Sequence, residues 1–368
     1  MFFLEAICLC FKLCFIQKSV YFCTQILEKT VKIGSIDLGE KPLLLAPMDD
    51  VTDPSFRYLC KRFGADMMYT EFVNSDGLIR DASSCQVKLN IYEHERPIGI
   101  QLYGHIIESM VEACKIATLA NPDVIDINFG CPVKKIANRG AGSGMMKDIP
   151  KMVEMTKQIV TATPIPVTVK IRLGWDDESK YIVSIAEQLQ DVGIQALTIH
   201  GRTRTQFYRG QADWTLIGEV KSNPRMHIPI VGNGDVDGPE KAMEMFNRYG
   251  VDAIMIGRAT YGRPWIFQEI KHYMQNGELM KPFTVEERVS IVKEHLSKSI
   301  EFKGDRRGIL EMRRHFTCYF KGLANFKELR LRLVTSDSTE ELNELLNLVA
   351  ERYADSVPDL NINPSPWL

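Results

Sequence analysis

The sequence lacks the features of a membrane protein, a disulfide scaffold or a strongly charged binder. No stretch offers the roughly twenty consecutive apolar residues that a spanning helix needs. Net charge is only −2, from 45 Lys and Arg against 47 Asp and Glu. No global positive field therefore favours nucleic acid, and any binding to it must rest on a local basic patch. The nine cysteines (Cys8, Cys10, Cys14, Cys23, Cys60, Cys85, Cys114, Cys131, Cys318) are odd in number and irregular in spacing. They offer no zinc-ligand pair and no disulfide framework, so a reducing cytoplasm is the simplest compartment and no metal site is expected. A G-x-G-x-x-G turn is missing too: "APMDDVTDP" follows the first strand candidate, which argues against an open dinucleotide-binding sheet.

What remains is the composition of a globular protein with a full-sized core: 368 residues, 45% hydrophobic and 25% charged. Residues 1–30 differ from the rest, holding four of the nine cysteines and many aromatics. Lys12 and Lys18 interrupt the apolar stretch and no basic segment precedes it, which argues against a signal peptide. The expectation is a start site upstream of the true one, or a dispensable extension.

From residue 43 the chain alternates short β-branched runs with stretches of helical spacing. Eight strand candidates follow one another: "LLLAP" (43–47), "ADMMYT" (65–70), "IGIQLYG" (98–104), "VIDINFG" (124–130), "VTVKIRL" (167–173), "ALTIHG" (196–201), "IPIVGNG" (228–234) and "AIMIGR" (253–258). Continuous apolar runs are buried on both faces, as in a parallel sheet. Eight such units fit a closed (β/α)8 TIM barrel over residues 31–280, with "KIGSIDLGEK" as a hairpin capping its bottom.

Polar residues then fall at one end of the strands. Gln101, Asn128, Lys170, Arg172, His200, Arg202, Asn233 and Arg258 sit at or just past their carboxyl ends. In a barrel those ends converge on the rim that carries active sites. A single lysine in a strand could merely snorkel or pair with a carboxylate; repetition over six strands points to a site. "VGNGD" (231–235) and "MIGRA" (255–259) follow strands seven and eight, where glycine turns let backbone N–H groups approach a phosphate. A phosphate-bearing cofactor would then lie within reach of Gln101, Lys170 and His200.

These runs resemble the FMN-dependent tRNA-dihydrouridine synthases, most closely the bacterial B-type branch. The resemblance rests on "LAPM…VTDPSFR" (45–57), "QLYG" (101–104), "DINFGCPVKKI…GAGSGMM" (126–146), "VTVKIRLGW" (167–175), "IHGRTRTQFYRGQADW" (199–214), "VGNGDV" (231–236) and "MIGRATYGRPWIF" (255–267). It implies reduction of uridine in tRNA with NADPH as reductant, with Cys131 giving a proton to C5 after hydride reaches C6. It implies FMN held by Pro47, Met48, Gln101, Lys170, His200, Asn233, Gly234, Gly257 and Arg258. Asn128, Arg172 and Arg202 are expected at the base, with internal salt bridges as the alternative for the arginines. Lys134, Lys135 and Arg139 share the Cys131 loop and would lower its thiol pKa if left unpaired. Asp49 and Asp50 depart from the small residues many relatives carry. Two other functions stay open: an FMN barrel acting on a free pyrimidine, and a non-catalytic RNA-binding barrel.

After residue 280 the pattern becomes helical, giving a small all-helical domain over 281–352 and a tail over 353–368. "TVEE" (284–287) reads as a capping box opening a helix with Val285, Val289, Val292, Leu296 and Ile300 on one side, and "STEE" (338–341) as a second box. Residues 301–334 hold nine Lys and Arg against four Asp and Glu. Arg313, Arg314 and Lys321 are expected to bind tRNA phosphates there, Arg314 and Lys321 sharing one helix face at a spacing of seven. The bland alternative is a solvated face. A monomer is expected.

Overall fold

The computed structural model describes residues 30–354 and 356, so the expected extension and tail lie almost wholly outside the described residues. Strands β1 (Lys32–Ile33) and β2 (Ile36–Asp37) form an antiparallel hairpin. Nine parallel strands follow: β3 (Leu43–Leu45), β4 (Met68–Tyr69), β5 (Val73–Asn74), β6 (Ile98–Tyr103), β7 (Val124–Phe129), β8 (Val167–Arg172), β9 (Ala196–His200), β10 (Ile230–Asn233) and β11 (Ala253–Ile256). Their order is β3-β11-β10-β9-β8-β7-β6-β4, with β5 added on β6. A bridge between Leu44 and Met67, with Leu45 N–H donating to the Met67 carbonyl at 3.0 Å, joins the two ends. The sheet is the expected closed barrel, and each of the eight candidate runs contains one of its strands. β5 was not foreseen; two residues are too few to show a period.

Alternation along each strand divides two cores. On β7, Ile125, Ile127 and Phe129 face the outer helices, while Val124 joins the barrel interior with Ala196, Ala253 and Met67. Ile33 and Leu38 of the hairpin complete that interior cluster, so the hairpin plugs the amino-terminal end. The outer layer holds α1 (Pro54–Arg62), α2 (Ile107–Leu119), α3 (Ile149–Ala162), α4 (Ile182–Asp191), α5 (Thr215–Ser222), α6 (Pro239–Tyr249) and α7 (Ile266–Asn276). Short helical turns replace a full helix after β5.

The helical region comprises α8 (Val285–Lys303), α9 (Asp305–Tyr319), α10 (Lys327–Thr335) and α11 (Thr339–Arg352). Thr284 and Glu287 form the expected reciprocal box, at 3.2 and 2.7 Å. Ser338 caps α11, but the Glu341 carboxylate turns to the Ser336 hydroxyl at 2.7 Å, so the second box is only half formed. The shared helix face of Arg314 and Lys321 also needs correction. α9 stops at Tyr319, and Lys321 lies in a turn closed by Gly322 at φ +92°. The region packs its core directly onto Leu59, Phe63 and Trp265 of the barrel. Gly262 (φ +64°) lies so close to the Cys318 backbone that no side chain fits.

Candidate active site

The carboxyl ends of the strands open on a cavity of about 880 Å³. Register brings its groups together: Asn128 stands opposite Lys170, Arg172 opposite His200, and His200 opposite Asn233. Pro47, Met48, Lys170, His200, Arg202, Asn233, Gly234, Gly257 and Arg258 all line the cavity. Gln101 is fully buried and reaches Asn128 by a hydrogen bond of 2.8 Å. Lys134, Lys135 and Arg139 are exposed on the loop after β7.

One corner is shaped for an anion. Gly234 has φ +125°, and a Cβ there would lie 2.7 Å from Ala212 and 3.1 Å from the His200 ring. A Cβ on Gly257 would meet Ala46 at 3.4 Å. Both turns face the cavity beside Arg258 and the amino terminus of α6, whose backbone N–H groups favour negative charge. Lys170 donates to Asn233 Oδ1 at 3.1 Å. Burial, reinforced by Arg172 and opposed by Asp126 and Cys131, brings its pKa down to about 8. Burial also holds His200 well below the ordinary imidazole range, helped by Arg172, Lys170, Arg202 and Arg258. His200 is therefore neutral. Arg202 can only donate, so the 3.4 Å contact to Nε2 puts the imidazole proton on Nδ1.

Cys131 is buried on a pinned loop. Its N–H donates to Asn128 Oδ1 at 2.9 Å and its carbonyl accepts from the Ser143 hydroxyl at 2.7 Å. Gly142 (φ +54°) leaves 3.1 Å between a would-be Cβ and the Cys131 Cβ. Burial raises the thiol pKa, against the pull of the Val133 backbone, Arg172 and Lys170, while Asp49 adds to the rise. The expected lowering by Lys134, Lys135 and Arg139 does not prevail: they point to solvent, and desolvation of the thiolate outweighs the cations nearby.

Arg172 and Arg202 sit at the rim, but their N–H groups serve the protein. Arg172 donates to the carbonyls of Gly130 (2.7 Å), Thr203 (2.9 Å) and Phe207 (2.7 Å), tying the Cys131 loop to the loop after β9. Arg202 pairs with Asp235 at 2.7 Å and donates to Arg209 and Gly210. Arg258 shares Asp235, also at 2.7 Å. Sequence reasoning passed over Asp235 and Tyr208, although both lie within the quoted runs. Tyr208 lines the cavity with the Arg172 and Arg258 guanidiniums 5.4 and 5.1 Å from its ring centroid.

Two of the three basic residues of the helical region, Arg314 and Lys321, are not remote from this rim, as their distance along the chain suggested. Arg314 bonds the Asp50 carbonyl and pairs with its carboxylate at 3.6 Å, and Lys321 lines the cavity. Arg313 pairs with Asp337 at 2.5 Å. Asp49 is held by Lys88 at 2.5 Å, so each of the two unusual carboxylates has a cationic partner.

Residues 44–356 match the family described as "Dihydrouridine synthase (Dus)". The chain belongs to the dihydrouridine synthase family. It is 39% identical over 329 residues to "tRNA-dihydrouridine synthase B" of Vibrio vulnificus, covering 89% of this chain and 99% of that one. Over 311 residues it is 39% identical to the protein of the same name in Pseudomonas putida, covering 84% and 91%. A "Probable tRNA-dihydrouridine synthase" of Rickettsia bellii is 38% identical over 301 residues, covering 82% and 91%. The barrel also superposes on the crystal structure of TcOYE with pHBA, with a TM-score of 0.51 at 14% identity, covering 71% of this chain and 96% of that one.

Proposed function

We propose that the protein reduces the C5–C6 double bond of uridine in tRNA to dihydrouridine, using FMN and drawing electrons from NADPH. The observation that supports this most directly is a glycine-walled corner of the cavity and, at the same carboxyl end of the barrel but outside the cavity lining, a buried thiol whose pKa is raised, in a chain whose relatives are named for that reaction. The residues present fit FMN: Gly234, Gly257 and Arg258 suit its phosphate and the Lys170 ammonium suits its ring oxygens and nitrogens, while Gln101 lies outside the cavity lining with its amide bonded to Asp126 and Asn128. Reduced FMN bound there would supply a hydride for C6 of the uracil ring. Cys131 Sγ then gives its proton to C5, and its raised pKa keeps that proton in place at neutral pH. Arg172 and Arg202 hold the loops that bear the base-side groups, while Lys134, Lys135, Arg139 and Lys321 face the incoming phosphates. The reading implies a monomeric cytoplasmic enzyme; among the described residues no helix is long and apolar enough to cross a membrane.

The test is Cys131→Ala. The variant should bind FMN and oxidise NADPH as before, yet lose tRNA turnover by about 10²–10⁴-fold, the usual contribution of a general acid. Turnover near that of the parent protein would remove Cys131 from the chemistry.

A further inference from the structure

Below the cavity floor lies a buried chain of hydrogen bonds that runs from one carboxylate to the Cys131 backbone. Asp126 on β7 is 1% exposed and stands in register between Gln101 on β6 and Thr168 on β8. Its Oδ2 accepts from Gln101 Nε2 at 2.6 Å, and its Oδ1 accepts from the Thr168 hydroxyl at 2.6 Å. Gln101 Oε1 accepts from Asn128 Nδ2 at 2.8 Å. Asn128 Oδ1 accepts from the N–H groups of Gly130 and Cys131, both at 2.9 Å.

The two amides could in principle turn either way, since a carboxamide carries a donor and an acceptor of nearly equal size. The ends of the chain decide. An ionised carboxylate only accepts, so Gln101 must offer its NH₂ to Asp126 and its oxygen to Asn128. A backbone N–H only donates, so Asn128 must offer its oxygen to Cys131 and its NH₂ to Gln101. Both ends demand the same polarity. Each amide keeps one further N–H beyond those the chain uses.

We propose that Asp126 is a positioning residue that acts through this relay, setting the orientation of Gln101 and Asn128 and thereby holding the Cys131 loop. The proposal rests on the reading of Cys131 as the proton donor, but it concerns the loop and can be tested without flavin or RNA. Burial raises the Asp126 pKa to about 6, against the hydrogen bonds from Gln101 and Thr168 and the charge of Lys170, so the carboxylate is ionised at neutral pH, with the Tyr69 phenol nearby.

The experiment measures iodoacetamide alkylation of Cys131, followed by mass spectrometry of its peptide, in flavin-free and RNA-free full-length protein. Asp126→Leu keeps the shape and removes the acceptor. Alkylation should become about 3- to 10-fold faster, as expected when one restraining hydrogen bond is lost, and Asn128→Ala should do the same. The double variant Asp126→Asn with Gln101→Glu moves the acceptor one link along: the carboxylate introduced on β6 accepts from both neighbours, so Asn128 keeps its polarity. Its alkylation rate should return to that of the parent protein. A folded Asp126→Leu protein alkylated at the parent rate overturns the proposal. If Asp126→Leu does not fold, the double variant decides: a rate as fast as that of Asn128→Ala overturns it. Failure of the Cys131→Ala turnover test would leave these rates unaffected, so the two readings fail separately.

Discussion

At the scale of single residues, the site combines a cation of weakened charge with a thiol of strengthened acid form. Lys170→Met removes the cavity-lining ammonium proposed to donate a charged hydrogen bond to the flavin ring, so FMN affinity should fall by about 10- to 100-fold in a fluorescence titration. Arg258→Lys should cost less, because Arg258 shares Asp235 with Arg202 at the cavity edge. The pH profile separates the two groups. Lys170 loses its charge as pH rises through about 8, so FMN binding should weaken across that point. The Cys131 thiol, raised by burial, stays protonated beyond the ordinary value of about 8.5. Single-turnover reduction of tRNA by pre-reduced, FMN-saturated enzyme should therefore stay level from about pH 7 to 8.5; a decline in that window would contradict the protonated thiol.

At the scale of elements, one carboxylate joins barrel to helices. Asp53 caps α1 through the Phe56 N–H at 2.9 Å and is also bonded to Lys303 at the end of α8. Asp53 is buried and Lys303, which also pairs with Glu311 at 2.8 Å, is mostly covered, so Lys303→Met leaves the Asp53 charge without its cationic partner and should cost about 3–5 kcal/mol in urea unfolding. The same seam holds His295 and His315 with ring centroids 4.5 Å apart. Burial keeps His295 well below the ordinary imidazole pKa and His315 down to about 4. The unfolded chain takes up these protons near pH 6.5 and the folded one does not, so stability is complete above about 6.5 and lost as pH falls toward 4. A urea midpoint that holds steady over that interval would contradict the buried pair. Elements were the most legible part of the sequence, because β-branched runs between helical stretches carry their own periodicity. The eight strands and the Thr284 cap are examples. Contacts that depend on chain folding left no such mark. Asp235 acquires meaning only once Arg202 and Arg258 meet over it, and Lys321 leaves its helix because the chain turns at Gly322.

At the scale of the whole molecule, the helical region and the barrel rim form one surface. Lys134, Lys135 and Arg139 are exposed and away from the cavity floor, so replacing all three with alanine should lower the log–log salt slope of tRNA binding by roughly 2–3. NADPH oxidation without RNA should be unchanged. Arg314→Ala should weaken tRNA binding and loosen the seam together, because its guanidinium is engaged by Asp50. The plugged lower end sets the timetable of the reaction. With Ile33 and Leu38 filling the base of the barrel, reductant and RNA alike would approach through the cavity at the carboxyl ends of the strands. On the proposed reaction, spent nicotinamide leaves before a nucleotide base takes its turn, so steady-state plots at several tRNA concentrations should be parallel lines, and excess tRNA should compete with NADPH for the oxidised enzyme.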